Sequence, residues 1–451
     1  MKLKHLAFLF LPLLARGEEN HGESLTEALL APGLWDKTLT EVHDLYQSEE
    51  EDSDDEEMEL PPELLEKLKE EGIVIEPGGF HSEKMEWLSV KKNGLRSEPG
   101  NFTLLGKKIG EVIMRGTPDE VQKIRISLYN RGDDGFMKKD EYDHLINDWK
   151  DRLDEHFQVR PRESRIKGIV PTEGWLWIKN DTGYLLEGSV DDKKNRAEFL
   201  RLRISPIIKG GRPKKVAQRS ALPKNVRKSE NGDVFIDNIP MVDQGQKGYC
   251  VVSSIERVGL YFGLNVDQHE LAQVAETDED GTTSEDMEEA FKKITGKIHV
   301  RTLKVMDYDY RQTVRDVKAY NSEAKKQGAP IFEIDFDTHY VIARGFWQRV
   351  DKDVFKTIKA KESSFDFFQS KVQEFVDRGI PICWTLNLGM FPEKNAAQSW
   401  GGHMRLIHGY NKFTKEIFYT DSWGLGHEVK KMPYIEAWCM TMGLYAMVPS
   451  N

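Results

Sequence analysis

Between Lys138 and Phe157 the apolar residues Tyr142, Leu145, Ile146, Trp149, Leu153 and Phe157 recur at helical spacing, which stacks them on one face of a helix. Around this helix the pattern turns to short apolar runs bounded by turn residues. FTLLG, IGEVIMRG and VQKIRISLYN precede it; GWLWIKN, GYLLEGS and EFLRLRISPI follow, with Asn180-Asp181 between the first two of these. Residues 84–206 therefore read as a small α/β module. A second patterned region covers 233–451. There Val251, Ile255, Val258 and Tyr261 or Phe262 follow Cys250 at helical spacing, while Ser253, Ser254, Glu256 and Arg257 mostly take other faces. VDQHELAQVAE and TTSEDMEEAFKKIT predict two more helices, the second with Thr283 or Ser284 as N-cap. SSFDFFQSKVQEFVDR predicts another, ended by Gly379 and Pro381, and ICWTLNL, MRLIHGY, EIFYTDS and GLYAMVP predict strands. The fold class expected for the chain is α+β.

The remaining stretches lack such periodicity. Residues 1–17, MKLKHLAFLFLPLLARG, join two lysines, a short apolar core and small residues as in a secretory signal, and the core is too short to span a bilayer. Export is expected, to the periplasm or medium, with no membrane anchor after cleavage. Residues 18–83 are acidic and partly helical: SLTEALLAPGLWDKTLTEVHDLYQ is broken by Pro32-Gly33, EEEDSDDEEME reads as a solvated run, and PPELLEKLKEEG reads as a short helix. Residues 207–232 are basic and rich in Gly and Pro, a linker or a segment whose cleavage releases activity. A net charge of −12 disfavours a nucleic-acid partner. Asn130 to Glu141 imitates a calcium loop, but Gly132 stands where a ligand belongs, so a turn and helix cap are expected.

Three cysteines occur, Cys250, Cys383 and Cys439, and two buried free thiols beside one reactive one are expected in preference to a bridge. Cys250 opens its helix, where the dipole and unpaired N–H groups favour a thiolate. Gly245 and Gly248 let the preceding turn bring backbone N–H groups close, and Gln244 can add an amide donor. A small core cysteine is the alternative from this stretch alone. A base and its orienting partner are supplied by His403, after a Gly-Gly turn in WGGHMRLIHGYN, and by Asp421 in IFYTDSWG. His408 falls on the opposite strand face and is expected to be structural. No metal or cofactor is expected.

These three motifs, QGxxGxC opening a helix, H-x5-GYN, and a strand ending in an acid followed by SWG, resemble those of papain-like cysteine peptidases. The aspartate makes the pattern similar to the bacterial branch that processes bacteriocins with double-glycine leaders. The resemblance covers about residues 233–448. It implies a helical half and an antiparallel sheet half with the site between them, and a peptide or protein substrate. Carried over, Cys250 is the nucleophile, His403 the general base and acid, and Asp421 its orienting partner. Gln244 and the Cys250 backbone N–H form the oxyanion hole, and Trp423 shields the His403–Asp421 bond. Tyr249 and Val251 depart from the residues common beside the papain nucleophile. A transglutaminase-like or peptidoglycan amide-cleaving enzyme, or a non-catalytic scaffold, are the alternatives. The module at 84–206 is expected to bind a partner or to regulate the C-terminal domain.

Overall fold

A computed structural model describes residues 23–46, 84–208, 216–277, 281–282, 284–295, 300–332, 346–347, 349–398 and 400–450. The leader-like run, the acidic run, the helix expected after it and Thr283 lie outside these residues.

In the N-terminal module eight strands form one sheet in which every neighbouring pair is antiparallel, while Phe102–Leu104 lies in a separate small sheet between Glu23–Ser24 and Lys107–Lys108. The helix Lys139–Phe157 packs on it through Tyr142, Ile146, Trp149, Leu153 and Phe157, the face that the periodicity marks. Trp149 and Phe157 are among the largest fully buried side chains, and each such aromatic contributes about 2–3 kcal/mol of burial. Residues 23–46 are built into the same core. Two short helices, Thr26–Leu30 and Leu39–Leu45, flank the Pro32-Gly33 break, where Gly33 takes a φ of 90°. They place Leu25, Leu29, Leu39 and Val42 against the sheet.

The C-terminal domain has a second eight-stranded sheet, also antiparallel, running from Val226–Lys228 and Asp233–Ile236 through Gly401–Asn411, Ile382–Leu388 and Thr441–Pro449 to Val300–Asp307. Glu416–Thr420 pairs with the outer side of Gly401–Asn411 and carries Lys430–Pro433 beyond it. The sequence pattern predicts the four strands at 382–449 and the helices Cys250–Tyr261, Gln268–Ala275, Ser284–Thr295 and Ser363–Asp377, and all are present. Within the basic segment, Arg219–Asn225 forms a short helical turn and Val226–Lys228 the first strand of this sheet. Cys383 and Cys439 are free and buried, and burial pushes the Cys383 thiol up to about 12.

The two sheets are joined by more than a chain crossing. Ile169, Val170 and Phe199 of the module belong to the same apolar core as Tyr249, Val252 and Ile255 of the helix opened by Cys250. That helix is buried all round. Its polar residues Ser253, Ser254, Glu256 and Arg257 are each at most 3% exposed, because the module and the loops around residues 240 and 420 cover the face opposite the sheet.

Candidate active site

The helix Cys250–Tyr261 begins after Tyr249, an N-cap with φ −91° and ψ 15° whose side chain makes no capping bond. The N–H groups of the first turn are left for other acceptors, and no acid stands there to compete. His403 lies on Gly401–Asn411, opposite Leu386 of the next strand. On the other side Leu406 pairs with Thr420. Continuing that antiparallel register sets Arg405 against Asp421 and His403 against Trp423, and both contacts occur.

His403 Nε2 bonds Asp421 Oδ1 at 3.0 Å, and both side chains are fully buried. The Trp423 ring stacks on the imidazole, with centroids 4.6 Å apart and planes 20° from parallel. The ring nitrogen Nδ1 has no other partner and is the one available to Cys250. Burial pushes the Cys250 thiol up, but His403 and the backbone N–H groups of Met404 and Val251 outweigh it, and the thiol is lowered. His403 responds oppositely: burial lowers it, Asp421 and Cys250 raise it, and the net shift is upward. A lowered thiol against a raised imidazole favours the thiolate–imidazolium pair.

Arg405 was not singled out by sequence reasoning although it lies within the second motif. Its Nε donates to the same Asp421 oxygen at 2.7 Å and its Nη1 to Glu393 at 2.9 Å. Burial would push Asp421 up, yet His403 and Arg405 hold it well below the usual carboxylate range. The imidazole thus bonds a carboxylate whose charge is shared with a guanidinium, which restrains the rise of His403. Arg405→Met is expected to move the alkaline limb of the kcat/KM pH profile to higher pH, because a positive charge near the imidazole is removed. An unmoved limb would show that Arg405 only packs. His408, on the same strand, bonds Ile236 O at 3.4 Å and is pushed down to about 4 by burial, away from the cleft.

Gln244 faces the same cleft as Cys250 and His403, a hollow of about 700 Å³ whose sides include Val251, Met287, Met442 and Tyr445. Its backbone N–H donates to Ser422 O at 2.9 Å and its Oε1 accepts from the Ser422 hydroxyl at 2.7 Å. Its Nε2 donates one hydrogen to Lys247 O at 3.0 Å, leaving the second free. Ser422, adjacent to Asp421, therefore fixes the amide beside the thiol. That link crosses between two motifs and leaves no local signal in either.

The turn 243–249 is held from outside by the module. Lys247, its side chain 1% exposed, bonds both oxygens of Asp133 at 2.9 and 2.7 Å and stands 3.7 Å from Glu111. Glu111, equally buried, also meets Arg96 at 3.3 Å and His269 at 3.4 Å. The Tyr249 hydroxyl donates to Asn130 Oδ1 at 3.1 Å, and its ring lies so close to Gly132 that a Cβ there would stand 2.6 Å from it. Gly245, at φ 70°, backs onto Arg96 in the same way. The calcium-like stretch is thus a capped turn, as expected, and it grips the loop before Cys250. Tyr249, which departs from the papain pattern, is the residue that docks the module.

With this geometry in view, residues 236–444 match the model of the Peptidase_C39 like family. The matched segment, a little under half of the chain, is similar to C39-type cysteine peptidases. Among solved structures, this cysteine peptidase is similar to the peptidase domain of Streptococcus ComA, a bi-functional ABC transporter involved in a quorum sensing pathway. The identity is 12%, over 47% of this chain and 99% of that one, with a TM-score of 0.24. It is also similar to xylellain, a cysteine protease from Xylella fastidiosa, at 11% identity over 53% and 91% of the two chains, with a TM-score of 0.27. No curated protein matches the peptidase. The cleft lining comes from residues 244–445, so the module borders the peptidase site without entering it.

Proposed function

We propose that the chain is an exported bacterial cysteine peptidase that hydrolyses peptide bonds through Cys250, His403 and Asp421. The observation that carries this reading is the pairing of a lowered Cys250 thiol with a raised His403 in one cleft, His403 being tied to a buried Asp421. In the reaction the Cys250 thiolate adds to the carbonyl carbon of the scissile amide, and negative charge moves onto the carbonyl oxygen. The free N–H of Gln244 Nε2 and the Cys250 backbone N–H receive that oxyanion. His403 gives its proton to the departing amine, which leaves an acyl-enzyme thioester. Water then attacks as His403 takes its proton, and the acid and the thiolate are released. Trp423 keeps water from the His403–Asp421 bond during both steps. Export rests on the leader-like composition of residues 1–17.

The module's part in this reading is to hold the turn 243–249 in place from the same chain. The Lys247 and Tyr249 contacts support it, as does the absence of module residues from the cleft lining.

Gln244→Ala is expected to lower kcat by about 10²–10³-fold with KM nearly unchanged, the loss typical of one oxyanion donor. Unchanged kcat would remove Gln244 from that role. Product analysis with an added amine tests hydrolysis itself: free carboxyl product is expected, and a predominant amide product would assign the site to acyl transfer.

A further inference from the structure

A second cavity lies where the module meets the helix Cys250–Tyr261. Val112–Thr117, Glu120–Asn130 and Arg196–Pro206 are neighbouring strands, and Arg115, Lys123, Arg125 and Arg203 on them face one cavity. Arg115 stands directly opposite Lys123, and Arg125 directly opposite Arg203. Like charges opposed across an antiparallel pair weaken it, so the arrangement needs counter-charge. These side chains wall a cavity of about 200 Å³, closed by Glu256, Leu260 and Asp267.

The acids at hand are already engaged. Asp267 pairs with Arg125, lies 2.6 Å from Arg201 Nη1, and accepts the His269 N–H at the start of Gln268–Ala275. Glu256 accepts the Gln268 N–H at 2.7 Å and reaches Arg125 only at 3.8 Å. Arg203 is held by Glu187 at 2.6 Å and Glu270 at 3.4 Å. Arg115 and Lys123 have no carboxylate partner among the described residues. Arg115 gives Nη1 to Met241 O at 3.1 Å, while its Nη2 and that of Arg125 are buried without a partner. A buried guanidinium donor left unpaired is costly, and a planar fork of such donors fits a tetrahedral oxyanion. Burial lowers Arg115, and burial with neighbouring Arg201 brings Arg203 down to about 10, as expected where positive charge exceeds negative.

We propose that this cavity binds a small oxyanion, phosphate or a phosphoryl group, through Arg115, Arg125 and Lys123. The ligand ties the module's sheet to the nucleophile helix, so it stabilises the docked arrangement whatever the peptidase cleaves.

The test follows the thermal unfolding midpoint of the full chain as sodium phosphate replaces sodium chloride at constant ionic strength. A saturable rise of roughly 2–5 °C at millimolar phosphate is expected. Glycerol phosphate forms a second arm: a rise equal to or above that of phosphate assigns the site to an organic phosphate, and none assigns it to the free ion. Arg115→Gln with Lys123→Gln should abolish the rise. Lys123 is exposed at the cavity mouth, so Lys123→Gln alone keeps the fold and should shift the half-saturation several-fold upward. A rise that never saturates and persists in both variants is general salting by an excluded anion and overturns the site. So does an identical midpoint in phosphate and chloride.

Discussion

Cys250→Ala protein is expected to lose essentially all peptide turnover, about 10⁶-fold by comparison with nucleophile deletions in other triads, while keeping its unfolding midpoint. The side chain removed is small, and only its sulfur is used chemically. The companion experiment follows the pH dependence of iodoacetamide labelling at Cys250, located by peptide mapping. Because the thiol is lowered and the imidazole raised, labelling should stay fast well below pH 8, where an ordinary thiol is protonated. In His403→Ala the main lowering partner is gone, burial is opposed only by the backbone N–H groups of Met404 and Val251, and fast labelling should retreat to higher pH. An ordinary thiol profile in both proteins would remove Cys250 from the nucleophile role.

Lys247→Met should destabilise the chain by about 3–5 kcal/mol, the range for breaking one partner out of a buried ion pair. It leaves Asp133 without its buried cation and Glu111, 1% exposed, with Arg96 and His269 alone. Denaturant unfolding measures that loss. Because Lys247 O also receives the Gln244 amide, kcat should fall too, at temperatures where the variant is still folded. A role confined to stability would leave kcat of the folded fraction alone, and an unchanged midpoint together with unchanged kcat would show that the module does not support the site.

Much of this was legible before any coordinates. The helix Lys139–Phe157 and the helix opened by Cys250 follow from their apolar spacing, because a face packed on a sheet must be apolar at that period. His403 and Asp421 come together as the sequence motifs suggest, since a short antiparallel pairing brings the two strand ends level. What stayed hidden is long-range polar partnership. In the sequence Glu256 and Arg257 fall off the apolar face of their helix, and nothing in the pattern marks Lys247. Each is buried because a surface from a distant part of the chain covers it, and a pattern read locally carries no trace of that surface. Arg405 and Ser422 stood inside quoted motifs, but their partners, Glu393 and Gln244, are set by tertiary geometry.

The shared oxygen of Asp421 bears on how this site can change over generations. An amide at that position would still bond the imidazole, but Arg405 would keep a buried positive charge with only Glu393 to balance it. Asp421→Asn is therefore a step through a poorly folding intermediate unless Arg405 is exchanged first. Exchanging Arg405 first leaves Glu393 in turn without its cation. Arg405 thereby favours a carboxylate at 421, and a Cys-His-amide site lies at least two coordinated substitutions away.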